Sequence, residues 1–268
     1  MKTRILLALL LTIVMLVIAR LASTRHAREI VVNVDNLTFK HHTVTESFDE
    51  GPIVKLAVND ASKERAVIYY SETNGSNYQA LEMPVENNVY SIQLPKLDKG
   101  QKWWYHIDVL KDNQKIATIP SNEDQFIKFK GRVSPFILIP HIICMFATIF
   151  FGVLAVFTAI DAVKGRAGVK RSVWFALLAL VFGYIGGLPL GVEVTRQTFG
   201  GGWGGWPIGN DWTDTKTEIF LLFWLITLIL SFNGLRGKKM FISEKTYAFL
   251  VILSLVVTFI TFLIPHSI

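Results

Sequence analysis

A histidine, a cysteine and a methionine lie at helical spacing near the start of one apolar segment. His141, Cys144 and Met145 occupy positions i, i+3 and i+4, which places their side chains on one side of a helix. Imidazole, thiolate and thioether are ligand types that suit copper. A second histidine, His266, lies near the end of the last apolar segment. Because two histidines from separate helices can also ligate a b-type haem, one hypothesis is a haem or metal site held by His141 and His266.

A glycine-rich linker, residues 193–218, collects most of the remaining chemistry. Its glycines would let the backbone fold closely over neighbouring helix ends. Its tryptophans would then cover a polar site to which His141 and His266 contribute. The linker residues predicted to bind a ligand are Trp203, Trp206, Asp211, Trp212, Thr213, Asp214 and Lys216.

A structural interpretation explains the same residues without a ligand, and the sequence favours it. Tryptophan concentrates at membrane interfaces, and a lone Cys or Met in a membrane helix usually packs against its neighbours. Thr215 and Glu218 have the spacing of a capping box before Ile219, and Asp214 would complement the dipole of that helix. Adjacent His41 and His42 are interpreted as an ordinary pair at a strand end. Since no nucleophile can be paired with a base, no catalytic residue is assigned and an enzyme is disfavoured.

The composition predicts a membrane protein, because 51% of the 268 residues are hydrophobic and only 18% are charged. Residues 133–160, 172–192, 219–235 and 246–268 contain no Asp, Glu, Lys or Arg. A membrane-spanning helix needs about 17–25 such residues. The shorter segment 5–19 follows a basic start, and is either a signal peptide or an uncleaved anchor. The single cysteine excludes a disulfide framework or a multi-cysteine metal cluster.

Two short loops carry the excess of positive charge, and they predict the orientation. Loops 161–171 and 236–245 each have four basic residues against one acidic residue. Such loops stay on the cytoplasmic side. The linker 193–218 has two basic residues against four acidic ones, so it is expected outside, as are residues 23–134 and the C-terminus. This topology accounts for the net charge of +6 without a nucleic-acid partner.

Residues 29–131 change to short alternating apolar and polar runs separated by turn residues, a pattern typical of half-buried strands. Many short strands at this spacing predict an antiparallel β-sandwich. In the clearest strand, Trp103 and Tyr105 are expected to face the core, and Trp104 and His106 to face outward. The predicted strands are Ile30–Val34, Thr43–Phe48, Ile53–Val58, Val67–Ser71, Asn88–Leu94, Lys102–Leu110, Lys115–Ile119 and Gln125–Phe129.

The segment Leu97–Trp103, followed by Tyr105, Ile107 and Val109, resembles the fibronectin type III signature. That signature is a leucine, a turn and an aromatic residue that opens strand F. Lys99 stands where the family usually has proline, and Trp103 stands at the position of the corner tyrosine. The resemblance covers residues 29–131, and it implies a binding or spacer module because this fold rarely carries catalysis alone.

The membrane half resembles an uncharacterised group of bacterial multi-pass proteins. The shared features are a glycine-rich aromatic loop, the run Asp211–Thr217 and a closing Pro-His. The resemblance implies a bacterial inner-membrane location and no particular reaction. It also implies a common outer-face role for Asp211, Thr213, Asp214, Lys216 and His266.

The sequence thus predicts a fibronectin III-like or immunoglobulin-like all-β sandwich joined to a transmembrane bundle of four helices. The expected domains are an N-terminal signal or anchor over 1–22, an extracytoplasmic sandwich over 23–134 and a membrane domain over 135–268. The expected function is non-enzymatic binding of a periplasmic or membrane protein partner. The alternative is a redox membrane protein that holds haem b or copper at its outer face, although no cofactor is assured. Because charged residues are missing from the centre of every predicted span, an ion pathway lacks its usual marker.

Overall fold

The computed structural model describes residues 2–60, 64–121, 123–209 and 211–264, apart from the side chain of Thr213. The chain divides into two compact units. The β unit contains Arg25–Arg132 together with Gln197–Gly200. The helical unit contains Met1–Thr24, Val133–Arg196 and Gly201–Ile268.

The β unit is built from two sheets. The first has the strand order β1-β2-β4-β8-β7, and the second has the order β3-β11-β9-β5-β6, with β10 also paired to β9. Every pairing is antiparallel except the short parallel pairing of β11 with β3. The strands are β1 (Glu29–Val34), β2 (Leu37–His42), β3 (Glu46–Ser47), β4 (Ile53–Val58), β5 (Glu64–Ser71), β6 (Gln79–Met83), β7 (Val85–Glu86), β8 (Val89–Gln93), β9 (Lys102–Lys111), β10 (Gln114–Ile119) and β11 (Gln125–Phe129).

Apolar side chains from both sheets form one buried core, which includes Phe39, Leu56, Ile68 and Ile127. The predicted inward face of β9 is confirmed, since Trp103, Tyr105, Ile107 and Val109 are all buried. Alternation produces this result because successive side chains of a strand point to opposite faces. The two-sheet arrangement is compatible with an immunoglobulin-like or fibronectin III-like domain.

The turn before β9 is fixed by hydrogen bonds from Trp103 and Gly100. Trp103 Nε1 donates a hydrogen bond to the Pro95 carbonyl at 2.8 Å, the same kind of backward bond that a corner tyrosine makes. Gly100 has φ of 94°, a left-handed conformation that glycine adopts without strain. Its N–H donates to the Phe129 carbonyl at 2.8 Å, which ties the turn to the end of β11.

The strands differ from the prediction where the chain changes sheets. The predicted strand Thr43–Phe48 is reduced to β3, because the chain leaves the first sheet after His42 and pairs with β11 of the second sheet. Three strands, β2, β6 and β7, were not predicted from the sequence. The strand β6 has four exposed residues out of five, so no apolar alternation marked it.

The helical unit contains α1 (Lys2–Ser23), α2 (Pro135–Val163), α3 (Lys170–Ile185), α4 (Gly191–Phe199), α5 (Trp212–Ser231) and α6 (Glu244–Leu263). A π-helical turn, Gly186–Leu190, joins α3 to α4, and a 3-10 turn, Phe232–Arg236, follows α5. Five helical stretches are long and apolar enough to cross a membrane, with α3, the π turn and α4 counting as one stretch.

Small residues let the helices approach closely. Gly183 packs against α5, since a Cβ added there would lie 2.9 Å from the Phe220 ring. Ala155, Ala159 and Ala176 belong to the same buried cluster as Trp224, and small residues of this kind are typical of helix contacts in membranes. Polar bonds add to this packing, because Trp224 Nε1 donates to Thr258 Oγ1 at 2.9 Å.

The first helix packs into the helical unit through small residues and one ion pair. Ala8, Thr12 and Ala19 are buried, whereas most of the larger apolar residues of α1 are exposed. Arg4 forms a salt bridge with Asp161, the latter lying near the end of α2. The start of α1 therefore lies beside the end of α2.

Candidate functional site

The predicted ligand group of α2 faces the π-helical turn. His141 Nδ1 donates to the Gly186 carbonyl at 2.9 Å. A Cβ added at Gly186 would lie 2.8 Å from Cys144 Cβ and 2.9 Å from Met145 Sδ. These contacts explain the spacing of the three residues. His141, Cys144 and Met145 lie on one face of α2, and this face packs on the π-helical turn at Gly186, where the absence of a side chain allows close contact.

The proposed partner of His141 in a haem or copper site is His266, which lies outside the described residues. The His141–His266 pair therefore stays a prediction, as do haem and copper. Among the residues that the structure describes, no group of three or more His, Cys, Asp or Glu side chains could hold a metal ion.

The outer linker folds back onto the first turn of α5. Asp214 Oδ2 accepts the Gly204 N–H at 2.7 Å, and the Asp211 N–H donates to the Gly204 carbonyl at 2.9 Å. The Trp206 N–H donates to Thr215 Oγ1 at 3.1 Å. These bonds define a linker knot made of Gly204, Trp206, Asp211, Asp214 and Thr215.

The linker knot also explains why α5 begins earlier than predicted. The Asp211 carbonyl accepts the Thr215 N–H at 3.0 Å, so the helix starts at Trp212. Thr215 therefore lies inside the helix, and its spacing to Glu218 does not mark the helix start. Asp214 does lie in the first turn, where its charge complements the helix dipole.

The side chains of two of the three linker tryptophans are largely exposed. Trp206 and Trp212 are 67% and 74% exposed. The ring of Trp203 packs closely on Gly205, since a Cβ there would lie 2.7 Å from Trp203 Cζ2. Thr213 lies in α5, but its side chain is outside the described part of the structure.

Among the predicted linker residues whose side chains the structure describes, Lys216 is the most deeply buried. It is 3% exposed, and its Nζ donates to the Ile264 carbonyl at 2.5 Å. The charges of Asp211 and Asp214 also act on it. Lys216 thus connects the start of α5 to the end of α6, a structural role that its position in the sequence did not reveal.

A group of aromatic and cationic side chains on the second sheet was missed by the sequence analysis. Trp104 and Phe126 lie on β9 and β11 with ring centroids 4.8 Å apart. The Arg25 guanidinium lies 3.8 Å from the Phe126 centroid, and Lys102 Nζ lies 4.7 Å from it. We call these four residues, Arg25, Lys102, Trp104 and Phe126, the aromatic–cationic face.

The geometry of this face is fixed by backbone and side-chain bonds. Arg25 donates to the Phe126 carbonyl at 2.7 Å and to Gln125 Oε1 at 3.1 Å. Burial lowers the pKa of both Arg25 and Lys102, and the nearby Arg25 charge lowers the pKa of Lys102 further. Two cations held together over aromatic rings would be stabilised by an anionic group from outside.

A second aromatic group lies beside it on the same sheet. His106 stacks on Tyr69 with ring centroids 5.2 Å apart and meets Tyr78 at 5.1 Å. Asp124 accepts a hydrogen bond from His106 Nδ1 at 2.9 Å and another from the Tyr78 hydroxyl. Only the outward positions of Trp104 and His106 could have signalled this surface, because the other members come from distant segments.

The adjacent histidines have different environments. His41 is fully buried, and its Nδ1 donates to the Lys55 carbonyl at 2.7 Å while Nε2 accepts the Tyr105 hydroxyl at 2.9 Å. Burial lowers the pKa of His41. His42 is mostly exposed and lies 3.1 Å from a Glu29 oxygen. Both residues therefore have structural explanations.

Comparison with known proteins adds no assignment to these sites. No model of a protein family matches the chain, and no curated protein matches it.

Proposed function

We propose that the chain is a non-enzymatic, multi-pass inner-membrane protein that displays its β unit outside the cytoplasm to bind a protein partner. The aromatic–cationic face is the proposed binding surface. The observation that carries this proposal is the packing of Arg25 and Lys102 on the Phe126 ring beside Trp104. Aromatic residues and arginine are the types most enriched in protein interfaces and their hot spots.

The chemistry of this face favours an acidic partner segment. The Arg25 guanidinium is held by its bonds to residues of β11, so it loses little side-chain entropy on binding. The Lys102 ammonium lies over both rings of the aromatic pair, 4.7 Å from the Phe126 centroid and 5.8 Å from the Trp104 centroid. Carboxylates of a partner would pair with these cations while its apolar atoms pack on the rings.

The proposed orientation rests on the charge of the short loops. Loops 161–171 and 236–245 are strongly basic, and basic loops are retained on the cytoplasmic side. Residues 197–200, from the linker predicted to lie outside, belong to the β unit, where the Thr198 carbonyl accepts the Gly131 N–H at 2.8 Å. The linker and the β unit are thereby proposed to share one side of the membrane.

Site-directed photocrosslinking in intact cells tests the proposed surface. A crosslinking amino acid at Trp104 is expected to give a discrete adduct with one partner, whereas the same probe at exposed Lys40 of the first sheet gives none. The charge reversal Lys102→Glu should abolish the adduct by repelling acidic groups, and the matched reversal Lys40→Glu should leave it unchanged. Equal adducts at both positions, or no adduct from a correctly folded protein, would contradict the proposal.

A further inference from the structure

A basic cavity lies where three helical segments of the helical unit meet. It is bounded by the start of α3, the chain after the 3-10 turn and the start of α6, and its volume is about 390 Å³. Its charged lining consists of Lys170, Lys238, Lys239 and Glu244. Gly168 and Gly237 contribute backbone to the wall. The function proposed above does not involve this cavity.

The charges of the lining are unbalanced. Three lysines and a single acidic residue, Glu244, line the cavity. Across the described ranges of the chain, no salt bridge joins any of these three lysines to a carboxylate. Positive charges gathered in a concave site attract an anion more strongly than the same charges spread over a flat surface.

The loop that presents Lys238 and Lys239 is fixed at both ends. Before the lysines, Gly237 has φ of 70°, and the Lys238 N–H donates to the Asn233 carbonyl at 3.1 Å. After them, Met240 is 8% exposed and packs into the core of the helical unit. The lysine backbones are thus positioned before any ligand binds, which lowers the entropy cost of binding.

Two exposed aromatic residues that are close in sequence to the cavity lining indicate the depth at which the cavity lies. Phe241 is 72% exposed directly after the buried Met240, and Phe232, which opens the 3-10 turn, is 53% exposed. Phe232 lies near the end of the apolar segment Asp214–Arg236, and Phe241 lies in the short loop before the apolar segment Glu244–Leu263, each long enough to span a membrane. Exposed aromatic residues beside lysines at helix ends are typical of the lipid headgroup region.

We propose that this cavity binds the phosphate of an anionic phospholipid headgroup, with Lys170, Lys238 and Lys239 as its ligands. The lysines supply the charge that a phosphodiester needs, and Phe241 packs among the acyl chains beneath it. Basic pockets between membrane helices recognise lipid headgroups in this way. The glycerol of phosphatidylglycerol would extend along the glycine backbone of the cavity wall.

Native mass spectrometry of the full-length protein in detergent tests the proposal, with phosphatidylglycerol and phosphatidylcholine as probes. The variant Lys170→Gln/Lys238→Gln/Lys239→Gln is compared with Lys164→Gln/Arg166→Gln/Lys245→Gln, which removes the same charge from the same loops outside the cavity lining. We expect phosphatidylglycerol binding to weaken by about a hundredfold in the cavity variant, since each lysine near an anionic headgroup contributes roughly 1 kcal/mol. The control variant should bind phosphatidylglycerol as the unmodified protein does. Phosphatidylcholine should bind weakly to the unmodified protein and to both variants.

Equal loss of binding in both variants would overturn the proposal, because it would indicate attraction to loop charge in general. Inorganic phosphate distinguishes a lipid site from a site for soluble phosphate. If millimolar phosphate displaces the lipid completely, the assignment to a lipid is wrong. Should the triple variant fail to fold, the single reversal Lys239→Glu provides the same comparison against Lys164→Glu.

Discussion

Two buried side chains of the β unit show how much a single hydrogen bond can specify. Trp103 donates to the Pro95 carbonyl at the turn before β9. His41 uses both ring nitrogens inside the core. Both side chains are buried in the β unit and use their polar ring atoms in hydrogen bonds within it. Each is therefore predicted to affect stability rather than binding.

Replacing Trp103 separates its hydrogen bond from its packing. Trp103→Tyr and Trp103→Phe remove nearly the same ring area, but only the tyrosine keeps a donor at the corner. We expect the tyrosine variant to be more stable by about 1 kcal/mol, the usual net contribution of one such bond. Denaturant titration measures the difference in stability, with unfolding of the β unit detected by its loss of protease resistance. Equal stabilities would show that the bond to Pro95 contributes nothing.

His41 predicts a pH dependence of the same unit. Burial lowers its native pKa below the ordinary value of 6.5, so the unfolded chain binds the proton first. The contribution of His41 to the free energy of unfolding should therefore be fully present above pH 6.5. It should be lost as the pH falls from there through the native pKa, by up to about 1.4 kcal/mol per pH unit. Comparing unfolding midpoints at pH 7.5 and 5.5 measures this decline. The substitution His41→Gln should reduce this decline, and the substitution of exposed His42 in His42→Gln should not. If the decline is unchanged in His41→Gln, His41 is not its cause.

At the scale of elements, α1 has contacts expected of a permanent helix. Its small residues are buried and Arg4 pairs with Asp161, which is 5% exposed. Removal of α1 would leave this carboxylate buried without its partner, which is unfavourable. We therefore expect the mass of the purified full-length protein to include residues 1–22. A mature N-terminus near residue 22 would contradict this.

The same ion pair can be tested by substitution. Arg4→Ala should destabilise the helical unit by roughly 1–3 kcal/mol, less than for fully buried pairs because the Arg4 side chain is 39% exposed. Asp161→Asn in the Arg4→Ala background should recover part of the loss, since it removes the unpaired charge. Thermal unfolding in detergent gives the stabilities of the unmodified protein, Arg4→Ala, Asp161→Asn and the double variant, which together form a double-mutant cycle. Simple additivity of the two substitutions would exclude a direct interaction.

The helices could be predicted from the sequence more accurately than the strands, and the reason is physical. A membrane helix needs a long uninterrupted apolar run, so segment 133–160 anticipates α2 closely. A strand such as β6 is held by its pairing with β5, and its own side chains carry no periodic signal. The start of α5 depends on hydrogen bonds from the folded linker, which local spacing cannot reveal.

The candidate sites also combine features that local sequence spacing predicts with features that depend on contacts between distant segments. The facing of His141, Cys144 and Met145 could be predicted from helical spacing, but the irregular turn that they contact could not. The aromatic–cationic face combines residues about 100 positions apart, such as Arg25 and Phe126. Only the pairing of β9 with β11 brings Trp104 beside Phe126.

For the whole molecule, the membrane topology can be tested with two glycines that leave space for a side chain. A Cβ at Gly168 or Gly201 would contact nothing within 4 Å. In a Cys144→Ser background, a membrane-impermeant thiol reagent should label Gly201→Cys in intact spheroplasts. Gly168→Cys should react only after permeabilisation. Labelling of both from outside would refute the proposed arrangement of the spans.

The π-helical turn at Gly186–Leu190 changes the direction in which side chains point along the stretch from α3 to α4. A π turn behaves as one extra residue inserted into an α-helix, and each residue of an α-helix advances by about 100°. Every side chain after Leu190 therefore points about a quarter-turn away from the direction that uninterrupted periodicity would assign to it. Homologues aligned across this region should accordingly show a one-residue gap wherever the bulge has been lost, and helical-wheel diagrams drawn through it will misplace Glu193 and Arg196.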